Sequence, residues 1–264
     1  MINKIVSMYF SATSTSKKVI NSVSGELASV LNVENVNMSI TYLKERAEAK
    51  SFGENELLVL ALPVYGGRIP EAIEGFVKSI KGNNTPAVVI SVYGNRDFDD
   101  ALLEMKNILS ENSFNVIAAG AFIGVHSFTD KVGTNRPDAA DLAIAKDFGA
   151  KVAEKVKSLN EGKTLAEISV KGNYPYKDRG PSGGVTPITS DICISCGVCI
   201  GVCPMEAITG ANPALTDGEK CMRCAACVRA CPLKARSFAE TPVNNAIMWL
   251  EGNCTARREP EMFL

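Results

Sequence analysis

The sequence predicts an α/β protein of two unequal domains, a large one built on a parallel sheet and a small one built on cysteine loops. Three observations carry this. Short apolar runs alternate with longer stretches of helical period through about the first 160 residues, the pattern of parallel strands covered by helices on both faces. Eight of the nine cysteines fall between Cys193 and Pro232 in two copies of C-x-x-C-x-x-C-x-x-x-C-P, each residue of the first copy recurring 28 positions later. At 264 residues the chain is also near twice the usual domain size.

Five strands are expected, at Ile5 to Phe10, Val33 to Met38, Leu57 to Val64, Ala87 to Val92 and Val116 to Val125. Four of them are continuous apolar runs, as strands buried on both faces require; the second is more polar and suits a sheet edge. The helices between show apolar stripes: Val19, Ile20, Val23, Leu27, Val30 and Leu31; then Ile69, Ile73, Phe76, Val77 and Ile80; then Leu102, Met105, Ile108 and Leu109. A last helix after Pro137 carries Leu142, Ala145, Phe148, Val152, Val156 and Leu159. Five strands alternating with helices predict the strand order 2-1-3-4-5, whose ligand binds at the carboxyl ends of the strands.

Those ends can be read directly. After the first strand comes Ser11-Ala12-Thr13-Ser14-Thr15-Ser16, opening straight into a helix. Unpaired helix amides and a run of hydroxyls make a phosphate cradle, where a single serine would suffice as a cap. After the third strand comes Pro63-Val64-Tyr65-Gly66-Gly67-Arg68, and after the fourth Tyr93-Gly94-Asn95-Arg96-Asp97. Glycine lets backbone approach a planar ring and tyrosine can stack on it. Each loop alone is an ordinary turn; their joint placement after strands one, three and four is the argument.

In the cysteine region the spacing carries the chemistry. Three thiolates two residues apart can wrap one face of a cubane, while the fourth, before proline, is aimed at the other cluster. Cys193, Cys196 and Cys199 are therefore expected to hold one 4Fe-4S cluster with Cys231, and Cys221, Cys224 and Cys227 to hold a second with Cys203. Small residues, Gly197, Ala225 and Ala226, keep those turns tight. Structural zinc is the weaker reading, because it gives the third cysteine and the Cys-Pro no role. Disulfides have no support from the chain's context. Cys254 lies outside both repeats and reads as a packed or idle thiol. The stretch resembles the bacterial two-cluster ferredoxins in all eight ligands and both prolines.

Over nearly its whole length the chain resembles the flavodoxin and ferredoxin fusion flavoproteins of anaerobic microbes. The resemblance implies a flavodoxin-like FMN-binding domain over residues 1–160 and an irregular connector over 161–187. It implies a small α+β dicluster ferredoxin domain over 188–237, followed by a packing tail over 238–264. The FMN residues would be Ser11, Thr13, Ser14, Thr15, Ser16, Pro63, Val64, Tyr65, Gly66, Gly67, Tyr93, Gly94, Asn95, Arg96 and Asp97. One departure stands out: Ser14 occupies the place where flavodoxin phosphate loops commonly carry glycine, at a cost on the order of 1 kcal/mol if that position needs a positive φ.

The connector is marked by Gly162, Gly172, Pro175, Pro181, Gly183, Gly184 and Pro187, with Tyr174 and Tyr176 as anchors. In the tail, Pro242 to Glu251 reads as a short helix covering the cluster domain or the domain junction with Trp249, and Arg257 and Arg258 read as a solvated pair. His126, the single histidine, invites a catalytic reading as a proton donor near the flavin, against the plainer one of a histidine hydrogen-bonded in place.

A formal net charge of -1 argues against nucleic acid as a partner. No apolar run approaches the roughly 18 residues of a membrane helix. The N-terminus reads as a first strand and not a secretory segment, so a cytoplasmic protein is expected. Clusters exchange single electrons and a flavin one or two, so the expected function is electron transfer between two 4Fe-4S clusters, FMN and a redox protein partner. Two rivals stand beside it: an adaptor or redox sensor that has lost FMN, and a flavin-dependent reductase of a small-molecule substrate. No G-x-G-x-x-G fingerprint supports direct exchange with NAD(P)H.

Overall fold

The structure, a computed structural model, describes residues 1–180 and 184–264. Pro181 and Gly183, two of the connector's expected turn residues, lie outside the described residues. Strands and helices alternate in the first part of the chain, except that only a turn of 3-10 helix (Leu43–Arg46) separates β2 from β3: β1 (Lys4–Tyr9), α1 (Thr15–Leu31), β2 (Glu34–Ser39), β3 (Glu56–Pro63), α2 (Glu71–Ser79), β4 (Thr85–Tyr93), α3 (Ala101–Glu111), β5 (Phe114–Ile123) and α4 (Ala139–Asn160).

Parallel pairing sets β2, β1, β3, β4 and β5 side by side in that order, the flavodoxin-like arrangement. The polar second strand lies at one edge, where its unpaired side meets solvent. The period of two along each strand divides the core into two layers. Val6 and Met8 of β1, with Leu58, Leu60 and Leu62 of β3, face Ile73, Val77, Leu102 and Met105 of α2 and α3. Ile5 and Tyr9, with Leu57, Val59 and Ala61, face Val19, Val23, Phe148 and Val152 of α1 and α4.

The cysteine segment contains β6 (Ile188–Thr189), α5 (Val198–Gly201), α6 (Ala226–Ala230) and β7 (Arg236–Ser237), with β6 and β7 paired antiparallel. The duplication is written into the backbone. Ser195, Gly197 and Glu206 have positive φ (53°, 78° and 51°), and so do their counterparts 28 residues on, Arg223, Ala225 and Lys234 (56°, 61° and 54°). Ala225 thus adopts at the start of α6 the left-handed conformation that Gly197 adopts at the start of α5. The sulfurs of Cys203 and Cys231 likewise accept from the amides of Ala207 and Ala235, each at 3.3 Å.

The tail departs from expectation in three ways. Its end forms β8 (Glu261–Phe263), which pairs antiparallel with β5 and adds a sixth strand at the other sheet edge. Its helix, α7 (Pro242–Asn253), buries Val243 and Leu250 at the junction, but leaves Met248 and Trp249 exposed on the opposite face. The expected cover over Trp249 is therefore absent: the helix is rotated by its two inward residues, seven apart. Arg257 and Arg258 are both exposed but, unlike an idle solvated pair, are tied to neighbouring carboxylates. Arg257 bridges Asp138 and Glu259, while Arg258 pairs with Asp97 and its carbonyl accepts from Arg136.

Among its described residues the connector has no regular secondary structure, and it lies along the α/β unit. Asp100 accepts from the amides of Asn173 and Lys177, at 2.7 and 2.6 Å. Tyr176 takes a hydrogen bond from Asn107 and lies under Arg68, 4.6 Å from its ring centroid, while Tyr174 is exposed and touches Tyr176 edge-on. At the connector's centre is Glu104, 1% exposed, which accepts from Arg68, Arg179 and the amide of Ile69.

Candidate functional site

The carboxyl ends of β1, β3, β4 and β5 enclose a cavity of about 40 Å³ at the start of α1. Ser11, Thr13, Thr15 and Ser16 line it, with Pro63, Val64 and Tyr65 from the loop after β3 and Tyr93 and Gly94 from the loop after β4. Ser16 is decisive here. Its hydroxyl is buried and, among the described residues, has no hydrogen-bond partner, and the residue lines this cavity. An orphaned buried hydroxyl is unfavourable, and at a helix N-terminus beside three more hydroxyls a phosphate oxygen would satisfy it. The residues present therefore fit a phosphate.

Ser14 stands just outside, exposed, at the N-cap of α1 with φ 67° and no side-chain cap hydrogen bond. Its backbone is the left-handed one that glycine adopts freely and serine at a cost of roughly 1 kcal/mol. Ser14→Gly is accordingly expected to raise thermal stability by up to about 1 kcal/mol, measured as a higher melting temperature.

A second, larger cavity of about 460 Å³ adjoins the first through Val64, Tyr65, His126 and Ser127. Gly66 and Phe128 extend its α/β wall. Cys221, Met222 and Arg223 form the facing wall, and Pro242, Val243 and Ala246 of α7 close one side. The volume is in the range of cofactor pockets, and the cavity lies between the strand ends and the second cysteine loop. Burial raises the Tyr65 phenol pKa well above its usual value, and the sulfur of Cys224 adds to the shift, so this tyrosine lies near the second loop's ligands.

His126 lines both cavities. Its pKa is lowered to about 4, by burial first and then by Arg229 and Arg96, so it is a neutral imidazole at pH 7. The amide of Phe128 donates to its Nδ1 at 3.2 Å, which leaves Nε2 to carry the proton. A methyl group on Gly94 would come within 2.5 Å of the imidazole, so this glycine is required by close approach.

Four residues expected around the flavin are engaged elsewhere. Asn95, 2% exposed, donates to the carbonyls of Cys254 and Ala256 and accepts from the amide of Arg258, so it holds the tail. Arg96 pairs with Asp99, and Asp97 accepts from the amides of Phe98 and Asp99. The Gly67 carbonyl accepts from Asp100, and a Cβ there would run into the Asp99 carboxylate. Gly124, Val125, Ser127 and Phe128 line the cavities without having been singled out in the sequence, because nothing local distinguishes them.

Of the eight repeat cysteines, Cys203, Cys221, Cys224 and Cys227 line one small cavity. These are the four expected to share the second cluster, three from one repeat and one from the other. Burial pushes the Cys224 thiol up to about 12, with the sulfurs of Cys227, Cys203 and Cys221 adding and the Ala226 amide opposing. Such a site favours thiolates only when a cation is bound among them. The four thiols, drawn from both repeats, border one space, as a cluster shared between the repeats requires. For Cys193, Cys196, Cys199 and Cys231 the support is the repeated backbone.

The sequence from 187 to 232 matches the family model for the 4Fe-4S dicluster domain. This part of the chain is a 4Fe-4S dicluster domain. It follows a flavodoxin-like sheet in the same polypeptide. A comparison with curated proteins finds no significant sequence match. Among solved structures, a flavodoxin from the domain Archaea is similar at 16% identity, covering 58% of this chain and 99% of that one, with a TM-score of 0.39. Oxidised flavodoxin 2 from Bacillus cereus is similar at 14% identity, 58% and 99% coverage, and a TM-score of 0.42. The rubredoxin oxygen:oxidoreductase of the anaerobe Desulfovibrio gigas is similar at 15% identity over 59% of this chain and 36% of that one, with a TM-score of 0.42.

The cluster domain is fastened to the α/β unit by two arginines. Arg229 of α6, between Cys227 and Cys231, donates to the carbonyls of His126, Ser127 and Thr129 and pairs with Asp130. Arg46 reaches the carbonyl of Pro204 at 3.3 Å, beside Cys203. Phe128, Val185, Phe238 and Val243 pack between them in a small core of their own. No helix among the described residues is long and apolar enough to cross a membrane.

Proposed function

We propose that the chain binds FMN at the strand ends and passes electrons between the two clusters, the flavin and a redox protein partner. The observation that carries this is the 460 Å³ cavity, which has flavodoxin-type loops on one wall and a cluster ligand, Cys221, on the other. The α/β unit of residues 1–160 would hold the cofactor and residues 188–237 the clusters, with the connector and tail fixing their separation.

FMN supplies a carrier that takes up one electron or two, which the clusters lack. The chain's own residues do the rest. Ser11, Thr13, Thr15 and Ser16 hold the phosphate at the head of α1. Tyr65 and Gly66 bound the ring space, and His126 offers an Nε2 proton at the seam between the two cavities without ionising at neutral pH. Arg229 holds the second cysteine loop against that space, and Arg46 holds the Cys203-Pro204 end of the first. Cytoplasmic placement belongs to this same reading, since reduced thiols and clusters require a reducing compartment.

The test is anaerobic purification with flavin and iron analysis. Near-stoichiometric FMN is expected, and none after attempted reconstitution would remove the proposal in favour of a cluster-bearing adaptor. Ser16→Ala sharpens it. Losing a hydrogen bond to a charged phosphate should weaken FMN binding by roughly 1.5–3 kcal/mol. The apoprotein should keep or gain stability, because its orphaned hydroxyl is gone. Unchanged FMN affinity in flavin-quenching titrations would place the phosphate elsewhere.

A further inference from the structure

The cluster domain is a duplication with one copy covered and the other bare. In the second repeat Cys224 and Ala226 are buried, 8% and 3% exposed, and Met222 packs against the core of the α/β unit. Pro204, beside the Cys203 ligand expected at the same cluster, is buried too, and Arg46 of the α/β unit donates to its carbonyl and to the sulfur of Met205. The same positions of the other copy, 28 residues away, are open. Cys196 and Pro232 are exposed, and Ile194, Val198 and Leu233 are 68%, 42% and 42% exposed. Ligand spacing and positive-φ turns are the same in the two repeats, so the difference lies in what covers them.

The covering contact is thus already built once in this molecule, between a flavodoxin-like unit and a cluster loop. Its twin surface is apolar and continuous in chain over Ile194, Cys196 and Val198, and the sharing of ligands brings Leu233 to the same cluster. Exposed apolar side chains grouped in this way mark an interaction site. Asp191 and Lys234 border them with one charge of each sign, so the complementary surface is an apolar one without a strong charge of its own. One part of the covered contact has no twin. Arg229, which fastens the second repeat to the carbonyls of His126 and Ser127, corresponds to Gly201, where an added Cβ would meet nothing within 4 Å. An occupant of the bare copy is therefore held without that ionic clasp, as a partner that comes and goes requires.

We propose that the bare copy, centred on Ile194, Val198 and Leu233, is the docking face for a separate flavodoxin-type electron carrier, which sits on the first cluster's loops as the chain's own flavodoxin-like unit sits on the second's. A second copy of this chain is not the occupant, because the strand-end loops it would offer already face its own second repeat. In the step itself one electron leaves the carrier's fully reduced flavin, which is oxidised by one electron, and enters the first cluster, which is reduced; no covalent bond is made or broken. The inference names the outside partner and rests on the electron transfer proposed above, but the docking face is read from the cluster domain and its test stops at the clusters. Absence of FMN from this chain would remove the proposed function and leave the docking result intact.

The experiment mixes the full chain, both clusters assembled, anaerobically with a flavodoxin held fully reduced, and follows cluster reduction by freeze-quench EPR. Reduction should be second order, and Ile194→Glu should lower its rate constant by about tenfold or more, because a charge must be buried in an apolar contact. Reduction by dithionite, which needs no docking, should be unchanged. Oxidised flavodoxin, from which no electron passes, should bind the variant more weakly by about the same factor in calorimetric titration. Leu233→Glu carries the same expectation from outside the Cys193–Cys199 loop should Ile194→Glu fail to assemble the first cluster. Trp249→Glu places the same charge on an exposed apolar residue of α7 and should change neither quantity. Failure of the flavodoxin to bind the wild type or reduce its clusters, no effect in either loop variant, or equal slowing in Trp249→Glu would overturn the proposal. So would a wild-type dimer that both loop variants dissociate, since a second copy would then cover the face.

Discussion

Cys203→Ser should cost the protein about half its iron and, on the function proposed above, nearly all electron flow between the outside partner and the flavin. The reason lies in the shared cavity. Cys203 belongs by sequence to the first repeat, but it lines one space with Cys221, Cys224 and Cys227. Its loss therefore opens the second cluster, the one beside the large cavity, and spares the first. With that cluster gone the first is left as the donor to the flavin across a longer gap, and flavin reduction should slow by orders of magnitude. Iron analysis and stopped-flow flavin absorbance measure the two effects. The alternative, each repeat keeping its own four cysteines, predicts loss of the first cluster instead. Adding Cys196→Ser separates them: under the shared arrangement the double variant loses both clusters, and under the local one it keeps the second and about half the iron.

What could be read from the sequence divides along the distance over which residues act. The eight cluster cysteines are encoded by local spacing, and so are the four apolar strands, because burial on both faces leaves continuous runs. That the hydroxyl run after β1 opens directly into α1 and borders a cavity was legible for the same reason, since its residues are consecutive. The hold of Asn95 on the tail could not be read from the sequence, because its partners lie 159 and 161 residues away and no local feature marks a side chain that reaches so far. Strand β8 escaped notice because three residues carry no periodicity, and its existence depends on the free edge of β5. Arg229 stands among the cysteines, where the ligands dominate any reading, yet its carbonyl partners are about a hundred residues back. Trp249 shows the converse error. An aromatic residue suggests burial, but the register of Val243 and Leu250 turns it outward.

Glu104→Ala should destabilise the α/β unit by roughly 3–5 kcal/mol, because it breaks a buried ionic cluster by removing the anion. Glu104 accepts from Arg68 Nε at 2.8 Å and Nη2 at 2.6 Å, from the Ile69 amide at 2.9 Å, and from Arg179 at 3.0 Å. At 1% exposure it cannot be replaced by bulk water without opening the site. Glu74 and the Ile69 carbonyl remain for Arg179, and the Lys177 carbonyl and the Tyr176 ring for Arg68, so both cations keep other contacts and lose their shared one. Glu104→Gln keeps the size and one accepting oxygen, so it should cost clearly less; denaturant melts of the two variants give the comparison. The effect should also reach the ligand. Arg68 ends the Tyr65-Gly66-Gly67 turn that bounds both cavities, and Arg179 anchors the connector beside the larger one. Releasing both lets that turn move, so FMN affinity should fall in Glu104→Ala more than in Glu104→Gln. Equal stability in the two variants would mean that the buried charge contributes nothing beyond its shape.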